Sequence, residues 1–581
     1  MQTVKWWQNA VIYHIVPRSF LDTSGDGEGD LNGIIAKLDY IAALGVDAIW
    51  LCPIYESPRE DLGYDPTDLR SIDPMYGSLE DFQRLLALAH ARGLKVIVDQ
   101  IWSHTSDRHP WFQESRSSRD NPKADWYVWA DPKPDGSPPN NWRSAFLGDS
   151  AWTWSPERGQ YYFHNFLKSQ PDLNWHNPVV IEAVLAEARF WLDLGVDGFR
   201  LDAVNFYFHD QELRDNPVRP ADASLPDGIS AKNPFAHQLF KYNFCRPETI
   251  EVLKHIREFV QMYPGVITLG EVTLAEDSIA LSSEYVGDQR LHLAYNSALL
   301  FDEPISATRL YKTLEKVLTH FPDGGNCWCV GNHDYGRLRS CWTGRDAAGQ
   351  PYPEGFYQMM VGLLLSLPGA FCLYQGDELG LPVARIPEDI PVEEIKDPFG
   401  KALYPILPGR DGSRTPIPWM ADALHGGFTT ASKPWLPVPQ SHQERAVNLQ
   451  DNEPNSLLNT WRRFLHWRKQ QPALMRGDCQ MLKTEEPIFG LIRETEEQRL
   501  ICLFNLSEMS TEYDLSPYAE CQTIRGIDMT AQRQGNTLKI PAYGAFFGNL
   551  PPAKENYPPF SPPLVQGRKG EGESDRVMAL S

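Results

Sequence analysis

Eight short apolar runs recur along the chain, and helical stretches separate them. The runs are rich in residues that favour β-strands, and the stretches carry apolar residues at spacings of three and four, which is typical of amphipathic helices. The predicted strands lie at residues 11–16, 47–52, 95–101, 198–201, 266–270, 291–295, 327–330 and 370–374. This alternation predicts an α/β fold, a parallel (β/α)8 TIM barrel. A doubly wound sheet is the alternative, but it would not normally need eight strands.

The helical stretches support the same fold. Three of them end in a glycine that leads into the next strand, as helix C-caps do: Gly45, Gly93 and Gly195. The predicted helices lie at residues 34–44, 79–92, 178–194, 248–262, 311–320, 355–367 and 457–470.

Three parts of the chain interrupt or follow the barrel, which is assigned to residues 1–104 and 173–477. Residues 105–172, after the third strand, are rich in Trp, Asn, Pro and Asp and too long for a simple loop, so they predict an inserted subdomain. From residue 478 the periodicity changes to two, which predicts a C-terminal antiparallel β-sandwich domain at 478–550. Residues 551–581 have the composition of a flexible tail.

The charge balance restricts the partners. The chain has 54 Lys and Arg against 76 Asp and Glu, a net charge of −22, which disfavours nucleic acid and anionic membranes. We find no apolar run of 18 residues and no signal-peptide pattern at the start of the sequence. The nine cysteines form no CxxC pair, which favours a reducing compartment. We therefore expect a cytoplasmic protein, a monomer or weak homo-oligomer, that acts on neutral or cationic small molecules.

Polar side chains follow the predicted strands at the end where the strands of a barrel meet. For any one of them a structural salt bridge is the simpler explanation, but three strands that end in carboxylates are hard to explain by stability. There is no phosphate loop and no metal-type histidine spacing, so the set fits glycoside hydrolysis, which needs two carboxyl groups. The set comprises Asp99, His104, Arg200, Asp202, Glu271, Asn332, His333 and Asp334.

The chain resembles the α-amylase family of glycoside hydrolases, and within it the α-glucosidase and oligo-1,6-glucosidase branch. The resemblance covers about residues 6–550 and rests on motifs that occur in the family's order. These motifs are GDGEGDL at 25–31, DQIWSH at 99–104, QPDLN at 170–174, GFRLDA at 198–203, GEV at 270–272, GNHD at 331–334 and YQGDELG at 374–380.

The resemblance implies the roles of the central residues. Asp202 is the expected nucleophile of a retaining mechanism, and Arg200 holds it ionised. Glu271 is the expected general acid and then general base, so that its carboxyl group should lie roughly 5–5.5 Å from that of Asp202. Asp334 is expected to bind the 2- and 3-hydroxyls of a distorted sugar. His104 and His333 are expected to donate hydrogen bonds to the same sugar.

The resemblance also implies a pocket that is closed at one end. Asp61 and Tyr64, in the segment DLGYD, match residues that hold and stack on the terminal glucose. Arg410 matches an arginine at the closed end, with Arg414 and Asp411 structural, although the two arginines could exchange these roles. Such a pocket implies removal of single terminal glucoses from small oligosaccharides.

Two residues bear on specificity. Ala203 follows the nucleophile, where in this branch a small residue goes with α-1,4 linkages and valine with α-1,6 linkages. We therefore expect hydrolysis of maltose and short α-1,4 oligosaccharides. Tyr335 departs from the valine usual in the family, which leaves hydrolysis or glucosyl transfer open. The alternatives are an oligo-1,6-glucosidase, a glucosyl transferase that acts on sucrose-like disaccharides, and a family member without catalytic activity.

The loop LDTSGDGEGD alternates oxygen-bearing side chains with glycines. Hard oxygen ligands at alternate positions suit Ca²⁺ or Mg²⁺, and a similar loop binds metal in the branch. A plain polar loop is the alternative, and the pattern is not an EF-hand. We expect a structural ion, remote from catalysis, held by Asp22, Ser24, Asp26, Glu28 and Asp30.

Overall fold

The structure, a computed structural model, describes residues 5–223, 225, 233–301, 303–346, 349–387, 390–406, 409–524 and 531–552. The predicted tail at 551–581 therefore lies outside the described residues from 553 on. A closed barrel of parallel strands forms the centre, and each strand pairs with the next in sequence. The predicted (β/α)8 barrel is confirmed. Its strands are β1 (Val11–Ile15), β2 (Ala48–Leu51), β3 (Lys95–Gln100), β4 (Gly198–Leu201), β5 (Ile267–Glu271), β6 (Leu293–Asn296), β7 (Asn326–Cys329) and β8 (Ala370–Tyr374).

Alternate residues of the barrel strands belong to two different apolar clusters, one inside the barrel and one between the strands and the helices. Ile97 and Leu269 belong to the cluster that fills the interior, whereas Val98 packs with the surrounding helices. Because successive side chains of a strand point to opposite faces, Asp99 and Glu271 share the interior face with Ile97 and Leu269. The strands themselves thus direct these two carboxyl groups into the carboxyl end of the barrel.

Each predicted helix has a counterpart in the structure, but the structure also contains helices that were not predicted, among them Pro110–Ser117, Ser278–Tyr285 and Pro398–Leu403. The first predicted helix is divided in two at Lys37. The helix Ser278–Tyr285 escapes prediction because two of its four buried residues are serines, which hide the apolar period. The helices are Leu31–Ala36, Leu38–Leu44, Leu79–Ala91, Pro110–Ser117, Pro178–Leu194, Glu248–Val260, Ser278–Tyr285, Ala307–His320, Glu354–Ser366, Pro398–Leu403, Gln440–Gln443, Val447–Asp451, Leu457–Lys469 and Pro472–Arg476.

Smaller sheets flank the barrel. Within residues 105–172, Gln160–Phe163 pairs antiparallel with both Trp129–Ala130 and Trp152–Ser155. Near the barrel mouth, Tyr55–Glu56 pairs with Asp68–Ile72.

The C-terminal part of the chain forms two antiparallel sheets, and a cluster of buried apolar residues fills its core. No helix in the described part of the chain is long and apolar enough to cross a membrane. The strands of the two sheets are Asp478–Met481, Ile488–Glu494, Arg499–Asn505, Gln522–Thr523 and Ala545–Leu550 in the first, and Thr511–Asp514, Gln532–Gln534 and Thr537–Ile540 in the second.

Candidate active site

A cavity of about 270 Å³ lies at the carboxyl ends of the barrel strands, near the lower end of the sizes found for small-ligand sites. Most of the predicted site residues line it, although they come from separate parts of the chain. Arg200 and His333 are buried against the lining residues and contact them directly. The predicted residues that line the cavity are Asp61, Tyr64, His104, Asp202, Glu271, Asp334 and Arg410.

One buried guanidinium joins the carboxyl groups of three barrel strands. Arg200 is 1 % exposed and stands over the ring of Trp50, 5.0 Å from its centre. Its Nη1 donates to Asp99 Oδ1 at 2.8 Å and to Asp202 Oδ1 at 2.6 Å. Its Nη2 lies 2.7 Å from Glu271 Oε2. Asp202 and Glu271 are therefore held beside the same cation, with both side chains on the cavity.

Three carboxyl groups compete for this single positive charge. Burial raises the pKa of Asp202 and of Glu271 to about 7 each, and that of Asp99 to about 6, against the attraction of Arg200. Since burial disfavours several unbalanced negative charges in one place, we expect one of these groups to keep a proton near neutral pH.

The hydrogen bonds favour Glu271 as the group that keeps the proton. Arg200 donates hydrogen bonds to Asp99 and Asp202, which stabilise their ionised forms. Glu271 accepts one from the backbone N–H of Ala203, 3.1 Å from Oε2, and its other oxygen has no recorded hydrogen bond in the described structure. A proton on that oxygen would be available for donation.

The pKa of Asp334 is lowered, whereas those of Asp202 and Glu271 are raised. Burial acts to raise its pKa, but His333, Arg410 and Arg414 outweigh burial and hold the pKa well below its usual range. Its Oδ1 accepts from Arg410 Nη1 at 2.7 Å and from Arg414 Nη2 at 3.0 Å. We therefore expect Asp334 to be an ionised acceptor in the cavity near neutral pH.

Arg410 lines the cavity and joins three carboxyl groups. Besides Asp334, its guanidinium contacts Asp61 Oδ1 at 2.8 Å and Asp397 Oδ1 at 2.7 Å. Arg414 is 2 % exposed and lies behind the lining, where its Nε donates to the carbonyl of His333 at 2.8 Å. Of the two arginines, only Arg410 lines the cavity.

Two aromatic side chains of the site, Tyr64 and His333, stack on one another. The rings of Tyr64 and His333 stack in parallel with centres 5.3 Å apart, and the Tyr64 hydroxyl donates to Asp99 Oδ2 at 3.0 Å. Burial lowers the pKa of His333 to about 3, so this imidazole is neutral at pH 7.

His104 is neutral as well, because burial lowers its pKa to about 4. Its Nε2 lies 2.7 Å from the carbonyl of Tyr64, which can only accept, so the single proton is already donated within the protein. Donation from His104 to a sugar would require that bond to be replaced.

Several residues at the cavity could not be predicted from the sequence. Asp397 binds Arg410 but lies in a Pro- and Gly-rich stretch without periodicity. Gln170, within the motif QPDLN, donates to Asp61 Oδ2 at 3.2 Å and to the Tyr64 carbonyl at 3.0 Å. The phenylalanines of the cavity carry no sequence signal, because a buried ring has many other uses. They are Phe146, Phe166, Phe235 and Phe399.

The predicted metal loop is held by its own hydrogen bonds. Asp22 accepts the backbone N–H groups of Gly25 and Gly27 at 2.7 and 2.8 Å. Burial acts to raise the pKa of Asp22, but the Thr429 hydroxyl and these N–H groups outweigh burial and lower it. Asp30 accepts from the N–H groups of Thr23 and Gly33 and caps the helix Leu31–Ala36.

The other loop residues that could bind a metal are either paired with neighbouring groups or exposed. Glu28 forms an ion pair with Arg18 at 2.5 Å, so its backbone carbonyl oxygen is the atom that it could offer to a metal. Among the described residues, Asp26 Oδ1 accepts the Glu28 N–H. Among the described residues, the one group of His, Cys and carboxylate side chains close enough to share an ion is His14, Cys52 and His333. The loop offers hard oxygen donors, but its carboxylates do not converge on one point.

Comparisons with known proteins agree with this arrangement. The model of the alpha-amylase catalytic domain matches residues 14–477. A probable alpha-glucosidase of Rhizobium meliloti is 46 % identical over 546 residues, 94 % of this chain and 97 % of the relative. An oligo-1,6-glucosidase of Heyndrickxia coagulans is 36 % identical over 88 % of this chain and 94 % of the relative.

A solved structure gives the same result for the fold. The crystal structure of the alpha-glucosyl transfer enzyme XgtA superposes with a TM-score of 0.89 at 48 % identity, covering 94 % of this chain and 100 % of that one. The similarity therefore extends through the barrel and into the C-terminal sheets.

Proposed function

Because the chain belongs to the alpha-amylase family of glycoside hydrolases, we propose that it is a retaining, exo-acting α-glucosidase that hydrolyses terminal α-1,4 bonds of maltose and short oligosaccharides. The observation that carries this proposal is the Arg200 guanidinium, which bonds Asp202 and contacts Glu271 at one cavity. Asp334, Arg410 and Asp61 line the same cavity, and Arg410 donates to both carboxylates.

In the first half of the proposed reaction, Asp202 attacks the anomeric carbon of the terminal glucose. Its carboxylate forms the new C–O bond while the bond to the leaving oxygen breaks. Glu271 transfers its proton to that oxygen, which leaves as an alcohol, and becomes a carboxylate. Arg200 stabilises the ionised form of Asp202 before the attack and that of Glu271 after it.

In the second half, the ionised Glu271 takes a proton from water. The water oxygen bonds the anomeric carbon, the ester to Asp202 breaks, and glucose leaves with its original anomeric configuration. Asp334 would bind two sugar hydroxyls throughout, with its charge fixed by Arg410 and Arg414.

The pairing of Arg410 with Asp61 supports removal of single glucose units. Gln170 donates to Asp61 as well. We propose that these polar groups bind the hydroxyls at the non-reducing end of one glucose and so exclude a longer chain.

A substrate panel tests the proposal and its linkage. Maltose, isomaltose, trehalose and sucrose are compared by kcat/KM, with product anomers read by NMR. We expect maltose to be the best substrate and α-glucose to be the first product. The variant Ala203→Val should shift the ratio toward isomaltose, whereas a dominant isomaltose activity of the unmodified protein would contradict the α-1,4 assignment.

Glucosyl transfer is the second candidate function. The similarity to an enzyme described as an alpha-glucosyl transfer enzyme favours it. Tyr335 lines the cavity and bonds Thr273, two residues after Glu271, at 2.7 Å between the two hydroxyls. It could therefore influence which acceptor approaches the intermediate. Disaccharide products formed from sucrose or maltose at high concentration would establish transfer.

We further propose that the loop at residues 22–30 takes up Ca²⁺ or Mg²⁺, with a structural role. Its donor chemistry supports this proposal, although Asp22 would have to exchange its bonds from Gly25 and Gly27 for the ion. The test is elemental analysis of the purified protein and its Tm with and without a chelator. One ion per chain, with a lower Tm on removal, is expected. Absence of metal and an unchanged Tm would reject the ion.

We also propose a reducing, cytoplasmic location, which the nine free thiols support. Fractionation of the source cells, with the protein found outside the cytoplasm, would contradict this.

A further inference from the structure

We propose that a second cavity, lined among others by Lys168, Lys396 and Lys401, is a binding site for small anions that carry a phosphate group. This second cavity has a volume of about 470 Å³, within the range of small-ligand sites. It shares no lining residue with the active-site cavity that holds Asp202. Binding there does not require the proposed hydrolysis.

Single segments of the chain separate the second cavity from the active-site cavity. At several places two consecutive residues line different cavities, one residue on each. These pairs are Glu60 and Asp61, Leu147 and Phe146, Leu167 and Phe166, and Pro398 and Phe399, where the first of each pair lines the second cavity. The second cavity is therefore a separate space on the far side of a shared wall.

Three lysines give the second cavity its positive charge. Lys168 comes from the end of the subdomain at 105–172, whereas Lys396 and Lys401 come from the segment that follows β8. All three residues are exposed, and none of them forms an ion pair with another described residue. Because like charges that are brought together repel one another, an anion between these ammonium groups would stabilise the arrangement.

The other charged groups of the second cavity are already balanced. Each of its two arginines has an ion-pair partner at 2.5 Å. The pairs are Arg18 with Glu28 and Arg59 with Asp73. Glu60 is the one carboxylate among the described lining residues, and it lies 3.2 Å from Arg108. The charge of the three lysines is thus not compensated by the lining.

This local charge is opposite in sign to that of the whole protein. The chain carries a net charge of −22, so its surface as a whole repels anions. An anion that approaches the protein is therefore attracted to the second cavity and repelled by most of the remaining surface.

The lining favours a phosphate group as the anion. Phosphate carries up to two negative charges near neutral pH and three acceptor oxygens that point in different directions, and lysines bind it as point charges from several sides. Ser169 adds a hydroxyl to the lining. Leu147, Leu167 and Pro398 add apolar surface, on which the body of an organic phosphate would pack.

Isothermal titration calorimetry of the full-length protein measures this binding without any substrate. The titrants are inorganic phosphate and phenyl phosphate, which have similar charges at a pH of about 7.5, with sodium chloride at equal ionic strength as the reference. We expect one site per chain with a Kd of about 1 mM or tighter for at least one of the phosphates. Tighter binding of phenyl phosphate would identify an organic phosphate as the ligand, whereas inorganic phosphate that binds at least as well would show that the phosphate group suffices.

Removal of the three ammonium groups tests whether the second cavity is the site. The triple variant Lys168→Gln, Lys396→Gln and Lys401→Gln keeps long polar side chains at three exposed positions but removes their charge. We expect the Kd for phosphate to rise at least about tenfold, because the Coulomb attraction is lost.

A second triple variant controls for the change in net charge. Lys133, Lys312 and Lys539 are exposed, lie outside the second cavity and form no ion pair with another described residue. The variant Lys133→Gln, Lys312→Gln and Lys539→Gln removes the same number of charges and should leave the Kd within about twofold of that of the unmodified protein, since these lysines are remote from the bound anion.

Two results would overturn the proposal. If the unmodified protein bound neither phosphate more tightly than chloride, the second cavity would not be a phosphate site. If the variant of Lys168, Lys396 and Lys401 bound phosphate as tightly as the unmodified protein, the anion would be bound elsewhere.

Discussion

At the scale of single residues, the proposed chemistry depends on one arginine shared by three carboxyl groups. Arg200 donates to Asp99 and Asp202 and its Nη2 lies 2.7 Å from Glu271 Oε2, and we infer that Glu271 is the group that keeps a proton near neutral pH. The same guanidinium can later stabilise the ionised Glu271. The two halves of a retaining reaction then need no movement of this cation.

Replacement of Glu271 tests its role as acid and base. We expect Glu271→Gln to lower kcat/KM for maltose by about 10²–10⁴-fold, because proton transfer to the leaving oxygen is lost. With α-glucosyl fluoride as donor, whose leaving group needs no proton, azide should restore glucosyl transfer in this variant, since it attacks the intermediate without a base. The exposed Glu284→Gln serves as the control and should leave kcat/KM unchanged. Full activity of Glu271→Gln would remove Glu271 from the mechanism.

The pH dependence of kcat/KM tests the shared proton. Burial raises the pKa of both Asp202 and Glu271 to about 7, so the reactive form has one proton on the pair. Activity should fall at lower pH, as Asp202 gains a proton, and at higher pH, as Glu271 loses one. A bell-shaped profile with its maximum near pH 7 is expected, and its two apparent pKa values belong to the pair. A profile flat from pH 5 to 9 would contradict this account.

Sequence reasoning could find the residues whose position follows from the strands. Asp99, Asp202 and Glu271 stand at the carboxyl ends of apolar runs, and the barrel gathers such ends. It could not find Asp397, whose segment has no periodicity, or the bond from His104 to the Tyr64 carbonyl, which depends on three-dimensional packing.

At the scale of elements, the pattern of apolar residues predicts the strands, whereas single residues such as glycines determine where helices end. Gly195 ends the helix Pro178–Leu194 at φ 100°, a left-handed conformation, and the strand β4 begins three residues later. The strand that leads to Asp202 is thus placed by a glycine turn. The helix Ser278–Tyr285 shows the limit of pattern reading, since its buried face includes serines.

Gly195→Ala should lower the free energy of unfolding by about 1–2 kcal/mol, the cost of a side chain in a left-handed conformation. The added methyl would meet only Leu86 Cδ2 at 3.8 Å, an ordinary contact, so the cost is conformational. Gly355→Ala is the matched control, because Gly355 lies in the helix Glu354–Ser366 with open space around the new methyl group. Urea unfolding measures both. Equal destabilisation by the two variants would reject the conformational reason.

At the scale of the whole molecule, the barrel and the C-terminal sheets share one core. Phe547 packs against Phe464 and Trp467 of the helix Leu457–Lys469, with ring centres 5.6 and 5.2 Å apart. Arg493 donates to the carbonyl of Ser366 at 2.8 Å and so ties the sheet to the helix Glu354–Ser366. The change in period predicted a C-terminal antiparallel β domain, and a period cannot show what a sheet packs against.

This shared core predicts one unfolding transition for the whole protein. In scanning calorimetry we expect a single peak, since separation of the C-terminal sheets would expose the apolar helix face at once. Phe547→Ala should lower the Tm of that single peak without dividing it. Two resolved peaks in the unmodified protein would show that barrel and sheets unfold independently.

The central claim is that Asp202 forms a covalent bond to a single glucose in this cavity. The direct measurement is mass spectrometry of the protein after reaction with 5-fluoro-α-glucosyl fluoride, a donor whose intermediate breaks down slowly. The account predicts one sugar per chain, attached to the peptide that contains Asp202 and absent in Asp202→Asn. A label on another carboxylate, or turnover of the donor with no trapped sugar on Asp202, would contradict it.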